Sequence, residues 1–244
     1  MSLPILPKAT FPYKNKWLKG AIKFHPFTCG QESILVQVKD SEDPKEKLVA
    51  IAQILDECVT GADSQTLPLF AVEDLFLRIR EKSAGETLSL TYVCSNEVEL
   101  PEGPEGALVK RSCNTPVNVV INLKEVQLQQ EGEHITTFQV SEDIGIKMTY
   151  PTLKSASASD SNPAAIVLSC IESIFDAETV YPAADSTPEE LKQFYNSMPL
   201  SVKNEIKLKF FDSMPTLRYT IKAKCPKCGY DHVQEIESLN SIFT

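Results

Sequence analysis

Lys222-Ala223-Lys224-Cys225-Pro226-Lys227-Cys228-Gly229-Tyr230 lies between two segments of strand character, Leu217–Ala223 and His232–Ile236. Two cysteines three positions apart, followed by Gly, form a tight turn that aims both sulfurs and nearby amides at one point. This is the form of a zinc knuckle. A tetrahedral metal takes four ligands, so this half-site needs a partner.

Five more cysteines stand upstream: Cys29, Cys58, Cys94, Cys113 and Cys170. Cys58 and Cys170 fall on apolar faces of predicted helices and read as buried thiols. Cys29 follows a Pro26-Phe27-Thr28 turn and takes no assignment. Cys94 ends a strand-like run, Leu88–Val93, and Cys113 precedes another, Val117–Ile121. Between them Pro101-Glu-Gly-Pro-Glu-Gly106 excludes helix and strand interior, which makes Cys94 and Cys113 the two ends of an enlarged hairpin loop. Strand, cysteine, loop, cysteine, strand is also the order around Cys225 and Cys228. The expectation is a structural four-cysteine zinc site, Cys94, Cys113, Cys225 and Cys228, built from paired hairpins at 87–126 and 216–237. Two alternatives stay open. His232 replaces Cys94 or Cys113 as a ligand, or Cys225 and Cys228 are a reduced pair without metal. A redox role is disfavoured, because no strand-to-helix step places the cysteines at a helix N-terminus.

The 244 residues, 42% of them hydrophobic, suffice for a real core. Seven cysteines, an odd number, and no signal-peptide pattern fit a reducing cytosol better than a disulfide framework. No apolar run nears the roughly 18–20 residues of a membrane span. The net charge of −9 argues against a protein whose main work is coating nucleic acid. That charge is uneven: residues 201–230 set seven Lys or Arg against Glu205 and Asp212, a basic patch suited to an acidic partner.

Along the chain, Pro4, Pro7 and Pro12 predict an extended arm over 1–20, with Lys14, Lys16 and Lys19 around Trp17. Trp17 either anchors a partner or, more commonly, covers the chain's own core. A strand over Ala21–Phe27 leads to three helices, Gln31–Val38, Pro44–Val59 and Pro68–Ser83, the last two with apolar residues at helical spacing. Gly61 and Gly85 stop the second and third. In the third, early acids (Glu73, Asp74) and late bases (Arg78, Arg80, Lys82) suit the helix dipole. Strands are predicted at Thr87–Val93, Val117–Leu123, His134–Val140 and Ile144–Tyr150. The polar Lys154–Ser161 reads as a mobile loop within a single domain, 1–244. A helix follows Asn162-Pro163, carrying Val167, Cys170, Ile171, Ile174 and Phe175. Another opens on the capping box Thr187-Pro188-Glu189-Glu190, and a third spans Val202–Phe211. The fold class is α+β, helical bundle segments packed with antiparallel β hairpins, including a zinc-ribbon-like C-terminal hairpin.

No Gly-rich phosphate loop, GxSxG or HExxH occurs, and the three histidines are far apart in sequence. Glu189-Glu190 and Glu142-Asp143 sit at a helix start and a turn, where acids need no catalytic role. The chain therefore reads as a non-enzyme. Its closed zinc site would stabilise the fold.

The order of several short motifs resembles the T4-like bacteriophage baseplate proteins, the group that includes the baseplate hub subunit and the hub assembly factor. The matching residues begin with Phe24-His25-Pro26-Phe27 and Glu32, then Ile54-Leu55 and Cys58-Val59. Asp74-Leu-Phe-Leu-Arg-Ile-Arg80, Val117-Asn-Val-Val-Ile-Asn-Leu-Lys-Glu-Val126 and Ile144-Gly-Ile-Lys-Met-Thr-Tyr-Pro151 follow. Cys225-Pro-Lys-Cys-Gly229 and a closing Phe243 complete the series, which covers nearly the whole chain. This sequence departs from the family in the insertion around Pro101–Gly106 and in a C-terminal aromatic pair reduced to Ile242-Phe243. The resemblance implies a tail component made in the host cytoplasm that helps build the central hub of a contractile-tail baseplate, with other hub and tail proteins as partners. It implies no catalytic residues. The runner-up from the residues themselves is a zinc-ribbon adaptor on single-stranded nucleic acid, carried only by the basic stretch and Tyr230.

Overall fold

The computed structural model describes residues 6–38, 41, 43–102, 107–158 and 163–236. The expected loop tip at 103–106, the stretch 159–162 and the closing Ile242-Phe243 lie outside them. Helices and antiparallel sheets are mixed along the chain, and every strand pairing among the described residues is antiparallel.

The N-terminal arm is partly paired. β1 (Phe11–Tyr13) lies on β2 (Ile22–Phe24), which pairs in turn with β3 (Val59–Thr60). Pro12 is tolerated because β1 is the edge strand. Trp17 turns inward, its ring edge-on to Phe70 at 5.9 Å and its Nε1–H donating to Gln130. α1 (Cys29–Val38) and α2 (Pro44–Cys58) match the periodicity to within two residues, and Ile54, Leu55 and Cys58 of α2 are sealed in the core. Gly61 follows β3 at φ +90, where a Cβ would run into the Ala21 carbonyl. α3 (Leu69–Ala84) departs from a one-sided stripe. Phe70, Ala71, Val72, Leu75, Phe76, Leu77 and Ile79 are all buried, which makes it the central helix of the larger core. Gly85, at φ +99, ends it as expected.

β4 (Thr87–Val93) pairs with β7 (Pro116–Asn122), Thr87 opposite Asn122 through Val93 opposite Pro116. The insertion between them is a ribbon of its own, β5 (Glu97–Glu102) on β6 (Ala107–Ser112). β8 (Gln127–Gln129) joins a distant sheet, while β9 (Thr137–Gln139) and β10 (Gly145–Met148) begin another.

Two expectations fail in the next segment. Residues expected as a mobile loop carry α4 (Leu153–Ala158). Thr152 and Ser155 exchange side-chain and backbone hydrogen bonds at its start, Leu153 is buried, and the alanines favour helix. The helix expected to carry Val167 through Phe175 stops after α5 (Pro163–Ser169), and β11 (Ile171–Phe175) follows. Spacing of three and four suits a helix and Ile171-Glu-Ser-Ile-Phe175 has no apolar alternation, so the strand comes from the ladder that β10 offers. Gly145 makes that pairing close, since the Phe175 ring occupies the space a Cβ would need.

β12 (Val180–Pro182) completes the order β12-β11-β10-β9. α6 (Pro188–Ser197) starts on the expected capping box, Thr187 with Glu190. α7 (Leu200–Ile206) widens into a π turn over Lys207–Phe211, closed by the Asp212 amide on the Lys207 carbonyl at 2.8 Å. β13 (Thr216–Lys224) then lies between β8 and β14 (Asp231–Ile236). A smaller core of Phe138, Ile146, Met148, Ile171, Val202, Ile206 and Phe210 fills the space between α7 and the four-stranded sheet. Stacked rings of Tyr150, His134 and Phe210 border it, and Tyr150 meets Phe70 of α3 edge-on.

Candidate metal centre

The ends of two strand pairs meet over the larger core. In the C-terminal turn the Cys225 amide donates to the Tyr230 carbonyl at 2.9 Å, and the Gly229 amide to the Cys225 carbonyl at 3.0 Å. The same pair of bonds recurs in the first hairpin. The Cys94 amide donates to Thr115 at 2.9 Å, and the Asn114 amide to the Cys94 carbonyl at 3.0 Å. Gly229 (φ +71) and Asn114 (φ +50) take the same left-handed backbone, which Asn tolerates better than most side chains. The first hairpin is thus a knuckle like the second. The β5–β6 ribbon hangs from it where the second has only Pro226-Lys227, and the Cys113 amide on the Asn96 carbonyl, 2.8 Å, closes the ribbon's base.

The sulfurs of Cys94, Cys113, Cys225 and Cys228 lie within 4.8 Å of one another. Cys94 Sγ is 3.7 Å from Cys228 Sγ and Cys113 Sγ 3.8 Å from Cys225 Sγ, far beyond a disulfide. The first three are buried and Cys228 is half-buried. Their environments pull protonation in opposite directions. Amides of Cys228 and Lys227 on its sulfur lower the Cys225 thiol, and the Thr115 hydroxyl lowers Cys113. Burial, with neighbouring thiols adding to it, raises Cys94. Charge on one sulfur disfavours charge on the next, and a divalent cation among them relieves that conflict. Such a donor set could hold a metal ion.

His232, on β14, lies against the cluster, with Nε2 3.2 Å from Cys94 Sγ. Its ring sits edge-on to Tyr92 and Tyr230, centroids 5.2 and 4.8 Å away. Asn96 Nδ2 donates to Cys228 Sγ at 3.6 Å.

Residues 8–244 match the T4 bacteriophage base plate protein family. The chain belongs to that family. A similar protein is the Baseplate hub assembly protein gp26 of Enterobacteria phage T4, 30% identical over 134 residues. That match covers 55% of this chain and 60% of the relative, so the chain aligns with less than two thirds of the relative's length. No solved structure matches the chain.

In this base plate protein the four cysteines singled out by spacing come together, with His232 beside Cys94. Cys58 and Cys170 are core thiols, each pushed up to about 11 chiefly by burial, and Cys29 is exposed. Cys170 sits at the turn between α5 and β11 and not on a helix face. Asn96, Asn114 and Thr115 escaped sequence reading, although Cys113-Asn114 set beside Cys228-Gly229 carries the signal. The basic stretch is smaller than its sequence suggests. Lys207, Lys209 and Arg218 pair with Asp212, Glu205 and Glu131. Lys222, Lys224 and Lys227 are exposed around the second knuckle, and no ion pair among the described residues includes them. No described helix is long and apolar enough to cross a membrane.

Proposed function

We propose that this chain takes part in assembling the baseplate hub of a contractile-tail phage. It acts by protein–protein contact with other hub and tail proteins and performs no bond chemistry. Its place of work is the host cytoplasm during assembly and, where retained, the virion baseplate. The observation that carries this is the family match across residues 8–244, with a hub assembly protein among the relatives. Phage lacking a functional copy should accumulate tail parts without completed hubs. Normal baseplates from such phage would remove the proposal. Mass spectrometry of purified virions beside infected-cell lysates then separates a retained hub subunit from a factor that leaves.

In the same proposal, Cys94, Cys113, Cys225 and Cys228 hold one structural zinc that fastens the two knuckles. Four sulfurs at mutual contact distances, with amides aimed at them, support it. Tetrahedral thiolate sites favour zinc, and a site filled by four protein ligands leaves no position for substrate. The second knuckle then presents Lys222, Lys224 and Lys227 to an acidic partner surface. Replacing all three with Glu should cut hub assembly in complementation assays by about tenfold or more, since like charges facing an interface cost several kcal/mol. Metal content and circular dichroism should stay at parental values. Undiminished assembly would move the contact surface elsewhere.

A further inference from the structure

The two knuckles differ in one respect that the inserted ribbon explains. In the second, the Cys225 sulfur accepts two backbone amides, from Lys227 and Cys228. In the first, the Cys94 sulfur accepts the amide of Asn96. The Cys113 amide, counterpart of Cys228, is spent on the Asn96 carbonyl at the base of the ribbon. Cys94 is fully buried, so water does not supply the missing donor.

His232 stands where that donor is needed. We infer that His232 is a positioning residue of the metal centre, donating its Nε2–H to the Cys94 sulfur in place of the amide withdrawn by the insertion. This rests on the metal assignment proposed above. His232 is held in register opposite Ala223 in the β13–β14 ladder, and the Tyr92 and Tyr230 rings fix its plane. The four sulfurs, all within 4.8 Å of one another, already supply the four ligands a tetrahedral ion takes, so the imidazole supports a ligand and does not add one. Its hydrogen bond lowers the charge density on Cys94, keeps that thiolate on the ion and orients it, as groups just outside a coordination sphere do.

The test uses full-length protein loaded with Zn(II) or Co(II) and challenged with a chelator. His232→Phe keeps a ring between the tyrosines but removes the donor. It should weaken metal retention by about 10–100-fold and move the thiolate-to-cobalt charge-transfer band to lower energy. His232→Gln returns an N–H and should recover much of both. The decisive variant replaces residues 95–112 with Pro-Lys, making the first knuckle like the second. Its restored amide should make His232→Phe nearly silent in that background. Equal retention by parent and His232→Phe in the intact chain overturns the inference. So does a loss of imidazole coordination from the cobalt spectrum, which would make His232 a ligand. A parental chain that takes up neither metal removes the metal assignment itself, a result distinct from both.

Discussion

A Cys225→Ser chain should purify without the zinc proposed above and with its C-terminal hairpin open to protease. Of the four proposed ligands Cys225 is the most strongly prepared, buried, with two amides on its sulfur and Cys113 3.8 Å away. The hairpin it anchors is short. β13 and β14 pair over Tyr219–Ile236, and their inward side chains, Ile221 and Ile236, reach the larger core from its edge. Beyond residues 216–218, which β8 pairs, the hairpin is two-stranded and marginal alone, and in small metal-held units the binding energy of the ion is folding energy. Elemental analysis should fall from one zinc per chain to essentially none. Trypsin should cut at Lys222, Lys224 or Lys227 in the variant while sparing the metal-loaded parent. Cys94→Ser should do the same, because its thiolate comes from the other knuckle. Cys58→Ser and Cys170→Ser lie away from the cluster and should keep the metal. Zinc retained in Cys94→Ser but lost in Cys225→Ser would place the second half of the site elsewhere.

What could be read from the sequence, and what could not, follows the range of the interactions involved. Cys225-Pro-Lys-Cys-Gly229 is legible because a knuckle is local: two ligands, a turn and a positive φ lie within five residues. α2, α3 and the Thr187 capping box are legible for the same reason. Pairing that knuckle with Cys94 and Cys113 needed only the repeated order of strand and cysteine. β11 was lost because Ile171, Ile174 and Phe175 stand at helical spacing, and only the ladder offered by β10 makes them a strand. The β5–β6 ribbon was hidden because Pro101-Glu-Gly-Pro-Glu-Gly106 reads as excluding strand, yet Pro101 and Glu102 of β5 pair with Leu108 and Ala107, so that reading fails at its first two residues. His232 reads as a candidate ligand from its distance in sequence. Its contact with Cys94, and the Cys113 amide turned to the Asn96 carbonyl, join residues far apart in the chain and carry no signal in spacing.

Arg78→Met should lower stability by about 3 kcal/mol, the largest effect expected from a single change away from the cysteines. In sequence Arg78 reads as a base placed to suit the α3 dipole. Folded, its guanidinium forks between two buried carboxylates, Asp74 at 3.1 Å and Glu81 at 3.2 Å, and two carbonyls, Leu123 at 2.9 Å and Val126. Those carbonyls bracket the turn from β7, which follows Cys113, to β8, which pairs with β13 ahead of Cys225. The clamp therefore ties the central helix to the connection between the two knuckles. Met fills a similar volume but leaves the carbonyls without this donor. Among the described residues Asp74 then keeps the Tyr13 hydroxyl, and Glu81 keeps Lys82. Lys at this position should recover little, since one ammonium cannot reproduce the fork. Urea unfolding should show a lower midpoint with an unchanged slope. The loss should also depend on pH. Burial alone would raise the Glu81 carboxyl, but Lys82 and Arg78 outweigh it and hold it below its ordinary value. A depressed carboxyl contributes fully above the unfolded carboxylate range and loses that contribution as pH falls through the lowered folded value. The gap between parent and variant should therefore narrow in acid. A gap that is constant with pH would remove the Glu81 pair from the account, and a midpoint equal to the parent's would remove the carbonyl clamp as well.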